Sequence, residues 1–493
     1  MLPYSATVFS AIMLWAAFPP LDLGFLVFVG PAPFLWALRV APERRVATNV
    51  GFLFGFVYFG MLLYWIFILG AVAWVPLTLT MSVFSAGYAI AVWYGRTLPA
   101  WRWYLIAVGG WALWEFVRSR FPLGGFPWGS LGYPTGDFSW LRGSAQWIGA
   151  SGWGVIVVAI AAGLVLSSEE DRHRRFLWYP VAIAGILAVA GGIWSPSADG
   201  DVLRVAIVQG NSPCPRVHCD DEKEIIYESH IQMTRTLDPG AYDLVVWGEN
   251  AMGGRFEPVG NPEVRIEIAA EADRLGSWLL VSGTRGVSET EFINSNLLFS
   301  PDGALVDEEY RKRHPVPFGE FVPLRNVLQF IPQLDNVPRD MVRGEGPVVF
   351  QLTQGPLGTV ISFEGAFART VRSEVAAGAR LIVVNTNEGS YGRTPASEQL
   401  INMTRMSAAE NGVDLIHAAV TGKSTFITAD GTVGKKTSLF TADVIAGEVR
   451  WRSAGKTIYT RFGDWLQVVA IVALAPAVAV RRRRSGFEFQ FRR

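Results

Sequence analysis

The sequence predicts an α-helical membrane domain of eight spans joined to an α/β domain outside the cytoplasm. Half of the 493 residues are hydrophobic and only 17% are charged, which is too apolar for an ordinary soluble protein. Apolar runs long enough for membrane helices are concentrated before residue 195. After residue 200 the pattern changes to short β-branched runs that alternate with amphipathic stretches, which is typical of an α/β domain.

Seven apolar runs precede the α/β segment and an eighth stands alone near the C-terminus. A bilayer core requires about 20 consecutive, mostly apolar residues per helix. The first run lacks a basic start and is followed at once by Pro19, Pro20 and another apolar run, so we interpret it as a membrane helix and not as a signal peptide. The runs lie near residues 4–18, 21–38, 49–69, 73–95, 101–117, 143–166, 177–194 and 465–480.

Arginine clusters predict the orientation, because cytoplasmic loops retain arginine. If every run spans, all clusters fall on one side of the membrane: Arg39, Arg44 and Arg45; Arg96 and Arg102; Arg172, Arg174 and Arg175; and Arg481 to Arg484. Both termini are therefore predicted to be cytoplasmic. The predicted domains are the first seven spans, the exported domain, the eighth span and a cytoplasmic tail, at residues 1–196, 197–460, 461–484 and 485–493.

The loop between residues 118 and 142 contains the turn-rich run Gly124-Gly125-Phe126-Pro127-Trp128-Gly129. Glycine and proline beside aromatic residues indicate an irregular segment at the lipid interface. One interpretation is a set of aromatic belt residues. The other is a portal through which lipid reaches a site above the membrane.

The α/β segment contains six predicted strands and four predicted helices, and Ala198-Asp199-Gly200-Asp201 is interpreted as the linker that precedes it. The predicted strands are Leu203–Gln209, Asp243–Trp247, Trp278–Ser282, Thr359–Phe363, Leu381–Asn385 and Leu415–Ala419. The predicted helices are Glu222–Thr236, Pro262–Leu275, Ala366–Ala377 and Ala396–Glu410.

Polar side chains follow several apolar strands, where a layered sheet exposes its site. Glu249 follows one strand, Lys312 follows the run that ends at Arg311, and Ser362 with Glu364 ends another. A carboxylate, an amine and a nucleophile position are what covalent acyl transfer requires. A single Glu or Lys after a strand is more often a solvated loop residue or a salt-bridge partner, so this pattern leaves both interpretations open.

Charge and cysteine content exclude other classes. The formal net charge is +0, from 43 basic and 43 acidic residues, which makes nucleic acid an unexpected partner. The only cysteines are Cys214 and Cys219, for which we favour a local disulfide in an exported domain. A metal cluster that adds His218 and Asp220 matches no usual zinc spacing. We therefore predict neither a metal nor a cofactor.

Five short motifs carry a resemblance to a known family: Gln209-Gly210-Asn211, Val246-Trp247-Gly248-Glu249, the run from Tyr310 to Pro323, Ile361-Ser362-Phe363-Glu364 and Asn385-Thr386-Asn387. With Glu115, Arg118 and Gly125–Trp128 in the membrane half, they resemble bacterial apolipoprotein N-acyltransferases over essentially the whole chain. That family belongs to the nitrilase superfamily, and the resemblance implies a four-layer αββα sandwich with a Glu-Lys-Cys triad.

The resemblance also implies a reaction and a location. The reaction is transfer of an acyl chain from a phospholipid to the free α-amino group of the diacylglyceryl-cysteine at a lipoprotein N-terminus, through an acyl-enzyme. The location is the bacterial inner membrane. By position, Glu249 matches the general base and Lys312 the triad lysine, while Glu320 and Glu364 match supporting acids. The nucleophile position is Ser362.

Serine at this position departs from the family, which has cysteine. A thiol titrates near 8.5, whereas an alcohol is far less acidic, so Ser362 beside a Glu and a Lys is expected to be a poor nucleophile. The serine could be an engineered trap, a natural loss or a working variant. Loss of activity would leave a membrane scaffold, with a polyprenol-phosphate mannosyltransferase as one partner that the resemblance suggests.

Overall fold

The computed structural model describes residues 1–196, 200–214, 219–328, 330–452 and 456–479. The predicted linker lies partly outside these residues, and the Arg481–Arg484 cluster lies entirely outside them. The helices that precede the α/β domain are α1 (Leu2–Ala16), α2 (Pro31–Val40), α3 (Arg44–Leu62), α4 (Ala71–Gly95), α5 (Ala100–Arg118), α6 (Ser139–Arg142), α7 (Ala145–Glu169) and α8 (Arg175–Ile193).

Helices occupy all eight apolar runs, and the described part of the chain contains four that are long and apolar enough to cross a membrane. These four are α3, α4, α7 and the segment Asp171–Ile193, which includes α8. Helix α1 has 15 residues and α2 has 10. Helix α5 has 19 residues but includes Arg102, Glu115 and Arg118. A helical membrane domain therefore fits the structure, while the count of eight spans stays a prediction.

The α/β domain contains all six predicted strands and further strands besides. The strands are β1 (Val202–Gln209), β2 (Leu244–Trp247), β3 (Met252–Gly253), β4 (Trp278–Gly286), β5 (Glu291–Phe299), β6 (Leu305–Arg311), β7 (Asp340–Met341), β8 (Val349–Leu352), β9 (Gly355–Ile361), β10 (Leu381–Thr386), β11 (Asp414–Ala419), β12 (Thr425–Ile427) and β13 (Asp443–Arg450). One sheet has the order β13-β1-β2-β4-β5-β6, with β3 beside β4 and β7 beside β5. The second has the order β12-β11-β10-β9-β8.

Helices cover the outer faces of both sheets. They are α9 (Glu222–Arg235), α10 (Pro262–Leu275), α12 (Ala368–Ala377) and α13 (Ala396–Asn411). The short helix α11 (Arg325–Leu328) lies in the connection between β6 and β7, and after β13 the chain continues into α14 (Ile458–Phe462), α15 (Trp465–Val472) and α16 (Leu474–Val478). One buried cluster joins the inner faces of the two sheets and includes Leu203, Val246, Leu280, Val360, Val384 and Ile416. A second joins the first sheet to α9 and α10. The four layers confirm the αββα sandwich.

The central strands could be predicted because both of their faces are buried, so that they are continuously apolar. All four residues of β2 and all six residues of β10 are buried. The edge strands β6 and β13 were missed because they carry charges on their solvent side. Strand β5 was missed because the polar residues Asn294, Ser295 and Asn296 interrupt its apolar pattern, although all three are buried.

The loop of residues 124–129 lies under the α/β domain. The guanidinium of Arg118 donates hydrogen bonds to the carbonyl oxygens of Phe126 at 2.7 Å and Trp128 at 2.6 Å. The indole of Trp128 is completely buried and donates to the side chain of Gln399 on α13 at 2.7 Å. The interpretation of Trp128 as an aromatic belt residue is therefore wrong, because the soluble domain covers the ring that lipid would have contacted.

Gly132 lies directly against the backbone of α7. A Cβ atom added there would lie 1.8 Å from the carbonyl oxygen of Ala150, a backbone atom that cannot move aside. We expect Gly132→Ala to destabilise the protein by about 1–3 kcal/mol, the usual cost of overpacking. Gly185→Ala on α8 is the matched control, since a Cβ there meets nothing within 4 Å. Thermal unfolding in detergent measures both, and equal midpoints would contradict this packing.

Candidate active site

Glu249 follows β2 and its carboxylate is buried with only 3% of the residue exposed. Its Oε1 accepts hydrogen bonds from the ammonium of Lys312 at 3.2 Å and from the amide of Asn294 at 2.9 Å. Its Oε2 accepts from the backbone N–H of Asn387 at 3.1 Å. A buried carboxylate is costly unless it is paired and hydrogen-bonded, so these three donors hold it in one orientation.

Lys312 follows β6 and is almost completely buried between two carboxylates. Its Nζ lies 2.6 Å from Oε1 of Glu320, in addition to its contact with Glu249. Burial lowers the pKa of Lys312, but the negative charges of Glu249 and Glu320 outweigh burial and raise it above its ordinary value. The side chain therefore stays an ammonium at neutral pH, which is the form that stabilises a developing oxyanion.

Glu320 closes the turn that follows Lys312. Its second oxygen accepts a hydrogen bond from the backbone N–H of Val316 at 2.7 Å, while the first binds the lysine. Burial raises the pKa of Glu320, and the ammonium of Lys312 opposes this shift without cancelling it. The carboxyl group thus links the ammonium to its own loop and fixes where the amine points.

Ser362 lies directly after the last residue of β9 and begins a 3-10 turn, Ser362–Ala366. Its φ of 57° is in the left-handed region, which costs free energy for a residue other than glycine. The side chain is half-buried, and its hydroxyl forms no hydrogen bond with any residue that the structure describes. A strained turn that presents an uncommitted hydroxyl after a strand resembles a nucleophile elbow.

The ends of three strands bring these groups to one edge of the sandwich. Strands β9 and β10 are parallel neighbours, with Ile361 beside Asn385. The side-chain amide of Asn385 donates to the carbonyl oxygen of Trp247 at 2.6 Å. The backbone N–H of Glu249 donates to the carbonyl oxygen of Thr386 at 3.3 Å. The two sheets are thus tied together where the predicted site residues emerge.

Glu364 lies beside the nucleophile position and does not contact Lys312. It accepts four hydrogen bonds: from the Tyr310 hydroxyl at 2.6 Å and from the backbone N–H groups of Arg313, His314 and Ile361 at 2.6, 2.9 and 2.9 Å. Burial raises its pKa, but the hydrogen bonds from His314, Tyr310 and the backbone lower the pKa by more. Glu364 therefore clamps the 310–314 segment to the serine turn.

Two buried groups near the site were not predicted. Asn294 lies on β5, a strand that was not predicted because of its polar residues. Its amide donates to the carboxylate of Glu249 and so orients it. Glu388 follows Asn387 in the chain and has a φ of 62°. Its carboxyl group forms a hydrogen bond of 3.0 Å with the ring of His417. Both side chains of this pair are fully buried. A carboxylate directly after the Asn385–Asn387 motif was the only signal for it.

An aromatic wall joins the serine turn to the membrane domain. Phe363 stacks on Phe126 and Trp128, with ring centroids 5.8 and 6.4 Å apart. Tyr391 lies against Trp128 at 6.4 Å and against Trp65 at 4.8 Å. An apolar wall beside a hydroxyl, a carboxylate and an ammonium provides the surface and the charges that transfer of an acyl chain requires.

Cys214 and Cys219 form a disulfide with a Cα–Cα distance of 6.0 Å, which confirms the local pairing. Two sulfurs joined to each other are not available as thiolate ligands, so the metal cluster is not formed. Within the described residues no group of three or more His, Cys, Asp or Glu side chains is arranged to hold a metal ion. His218, the third ligand of that interpretation, lies outside the described residues.

The sandwich and its buried Glu–Lys pair place the chain in the carbon–nitrogen hydrolase class, since residues 204–459 match the family model of that name. Residues 10–163 match the apolipoprotein N-acyltransferase N-terminal domain. The chain is 30% identical to the apolipoprotein N-acyltransferase of Geobacter metallireducens over 99% of this chain and 96% of that protein. The chain belongs to the apolipoprotein N-acyltransferase family.

One further relative and one solved structure are also similar to this chain. The apolipoprotein N-acyltransferase of Methylococcus capsulatus is 29% identical over 100% of this chain and 96% of that protein. A crystal structure of a carbon–nitrogen hydrolase from Helicobacter pylori covers 51% of this chain and 89% of its own, with 17% identity and a TM-score of 0.37. Relatives named as acyltransferases over nearly the whole chain favour an enzyme over an inactive scaffold.

Glu364→Gln tests the clamp beside the serine. Because the folded-state pKa of Glu364 is lowered, its ionised form stabilises the protein above the ordinary carboxyl pKa, and this stability is lost as pH falls through the folded-state value. We expect a lower unfolding midpoint at pH 7, at a cost of about 1–3 kcal/mol for each buried N–H that loses its acceptor, and a smaller difference in acid.

Glu289→Gln is the control, because this substitution removes the same charge from an exposed position. Thermal unfolding of both variants and the parent, followed at several pH values in one detergent, gives the comparison. A midpoint difference for Glu364→Gln that stays constant from pH 7 to acid would contradict an ionised clamp.

Proposed function

We propose that the protein transfers an acyl chain from a phospholipid to the α-amino group of the N-terminal diacylglyceryl-cysteine of lipoproteins. The observation that carries this proposal is the Glu249–Lys312–Glu320 cluster at the strand ends, with Ser362 directly after β9, in a chain of the apolipoprotein N-acyltransferase family. In this proposal Glu249, Lys312 and Ser362 are the catalytic residues, and Glu320 and Glu364 are positioning residues.

In the first step the oxygen of Ser362 attacks the carbonyl carbon of a phospholipid ester. Glu249 takes the hydroxyl proton as general base, and the ammonium of Lys312 stabilises the oxyanion of the tetrahedral intermediate. The bond from the carbonyl carbon to the glycerol oxygen then breaks. Glu249 returns the proton to that oxygen, so that lysophospholipid leaves and the acyl chain remains on Ser362 as an ester.

In the second step the α-amino group of the acceptor attacks the same carbonyl carbon. Glu249 takes a proton from the attacking nitrogen and returns one to the oxygen of Ser362 as the ester bond breaks. The product is an amide on the acceptor, and the enzyme regains its hydroxyl. No metal or further reactant is needed for either step.

The serine makes both steps slower than a cysteine would. Its hydroxyl is much less acidic than a thiol, and an oxygen ester is less activated toward an amine than a thioester. Two features support a working serine nevertheless: the left-handed turn presents the hydroxyl without a competing hydrogen bond, and Glu364 ties the segment that follows Lys312 to the serine turn.

The aromatic wall supports the portal interpretation of residues 124–129. Phe126 and Trp128 lie beside Phe363, the neighbour of the proposed nucleophile, so an acyl chain that follows these rings from the membrane reaches the serine turn. The exported orientation belongs to the same proposal: eight spans in the bacterial inner membrane, both termini in the cytoplasm and the sandwich outside.

Acylation of Ser362 is the direct test of the proposed chemistry. Incubation of the purified protein with phospholipid, followed by mass spectrometry of the intact chain, is expected to show slow addition of one acyl group. Ser362→Cys is expected to be acylated faster because its thiol ionises more readily. Ser362→Ala is the control and is expected to remain unmodified.

Other patterns would contradict the proposal in distinct ways. Acylation of Ser362→Cys alone would mean that the serine has disabled an otherwise intact site. Absence of acylation in both forms would favour the scaffold. An adduct that persists in Ser362→Ala would place the nucleophile elsewhere.

The orientation is tested with single cysteines introduced on opposite sides. A thiol reagent that cannot cross the membrane, added to cells with an intact inner membrane and an opened outer layer, is expected to label Glu289→Cys in the sandwich. Asp171→Cys, between α7 and α8 on the arginine side, is expected to react only after lysis. Both positions are exposed, so reversed labelling would show that the arginine rule fails for this chain.

A further inference from the structure

A groove that shares no lining residue with the strand-end site lies between the helical segment and the α/β domain. It has a volume of about 380 Å³ and is formed where α7, α8, α13 and α14 meet. We call it the Lys456 groove. The lining residues that define its chemistry are Trp147, Trp194, Lys456, Ile458, Arg461 and Phe462.

The ends of apolar helices place the groove at one level of the membrane domain. Helix α7 begins at Ala145, α8 ends at Ile193 and α15 begins at Trp465, all next to the groove. Trp194 directly follows α8, and the indole of Trp465 donates to the carbonyl oxygen of Trp147 at 2.7 Å. Tryptophan at the ends of apolar helices is typical of the boundary between hydrocarbon and water.

The charged groups that line the groove are both basic. Lys456 and Arg461 are exposed, and within the described residues neither forms an ion pair with a carboxylate. Backbone oxygens hold them instead: the ammonium of Lys456 donates to Ala376 at 2.5 Å, and Nε of Arg461 donates to the carbonyl of Lys456 at 3.1 Å. The guanidinium of Arg372 donates to three carbonyl oxygens of α14 and adds positive charge behind them.

The acids of the neighbouring segments are engaged elsewhere. Asp464 pairs with Arg120 at 2.9 Å, and the carboxyl of Glu410 accepts a hydrogen bond from the backbone N–H of Ala150 at 2.7 Å. Neither acid forms an ion pair with Lys456 or Arg461, so the positive charge of the groove favours an anionic occupant.

The apolar side of the groove is exposed in the same place. Phe462 is 68% exposed and Ile458 is 45% exposed, one helical turn apart on α14, and Ile193 at the end of α8 is 82% exposed. Apolar side chains next to basic ones at a helix end are stabilised by lipid, which buries the rings and contacts the charges at once.

We propose that the Lys456 groove binds one anionic phospholipid. Its phosphate lies between Lys456 and Arg461, and the upper part of its acyl chains packs on Trp194 and Phe462. The groove shares no lining residue with the Glu249–Lys312 cluster, so this lipid is a bound component of the protein and not the acyl donor. It would fix α14, and with it the sandwich, to the membrane surface.

The test is photocrosslinking of the full chain in detergent. The probe is phosphatidylglycerol with a diazirine in the upper acyl chain, and labelled peptides are mapped after digestion with pepsin. We expect labelling of peptides that contain residues 186–194 and 458–462. Lys456→Gln with Arg461→Gln is expected to reduce this labelling at least fivefold, because the phosphate loses both cations.

Two matched variants keep the result interpretable. Arg265→Gln with Lys435→Gln removes the same charge from exposed positions of the sandwich and is expected to leave labelling unchanged. Lys456→Arg with Arg461→Lys keeps both charges and is expected to retain labelling, which separates loss of charge from disturbed folding.

Equal labelling of the Gln double variant and the parent would overturn the proposal. So would equal labelling by a phosphatidylcholine probe, which would indicate general contact with lipid, or displacement of the probe by inorganic phosphate, which would indicate a site for a free anion. Because labelling is measured without turnover, its failure is distinct from failure of Ser362 acylation.

Discussion

The pairing of the buried ammonium of Lys312 with the buried carboxylate of Glu249 and the partly buried carboxylate of Glu320 is the interaction on which the rest of the candidate site depends. An ammonium and two carboxylates removed from water are costly unless each charge is paired and its remaining positions are hydrogen-bonded. Glu249, Glu320 and Lys312 satisfy one another at 3.2 and 2.6 Å, and Asn294 and Asn387 supply the remaining donors to Glu249. Those donors come from both sheets, so the charges can be buried only when the sandwich is closed.

The serine turn depends on the same closure. A left-handed serine persists only where its surroundings fix it. Glu364 provides this by accepting hydrogen bonds from Ile361 on one side and from Arg313 and His314 on the other. The segment after Lys312 and the turn at Ser362 are thus held by one carboxylate, which is the basis for the positioning role proposed for Glu364.

The membrane domain contributes directly to this site. Phe363, the residue after the serine, packs on Phe126 and Trp128. The carbonyl oxygen of Trp128 accepts a hydrogen bond from Arg118, and its indole donates to Gln399 of α13. The Lys456 groove marks another junction of the same two domains. Both junctions combine aromatic rings with arginine or lysine, as suits a surface between hydrocarbon and water.

The sequence by itself determined that an α/β domain follows a helical segment, where the central strands lie, and that Glu249, Lys312 and Ser362 come shortly after strands, while their catalytic roles stay a prediction. Apolar runs and buried central strands can be recognised from consecutive apolar residues, and the motifs identify the family. The tertiary structure decided what local pattern does not contain. In the folded protein, the buried Asn294 of β5 donates to Glu249, and Glu388 forms a hydrogen bond with His417, 29 positions away in the chain. The indole of Trp128 contacts α13 instead of lipid. Each depends on contacts between residues distant in the chain, since burial and pairing are properties of the folded molecule and not of the segment.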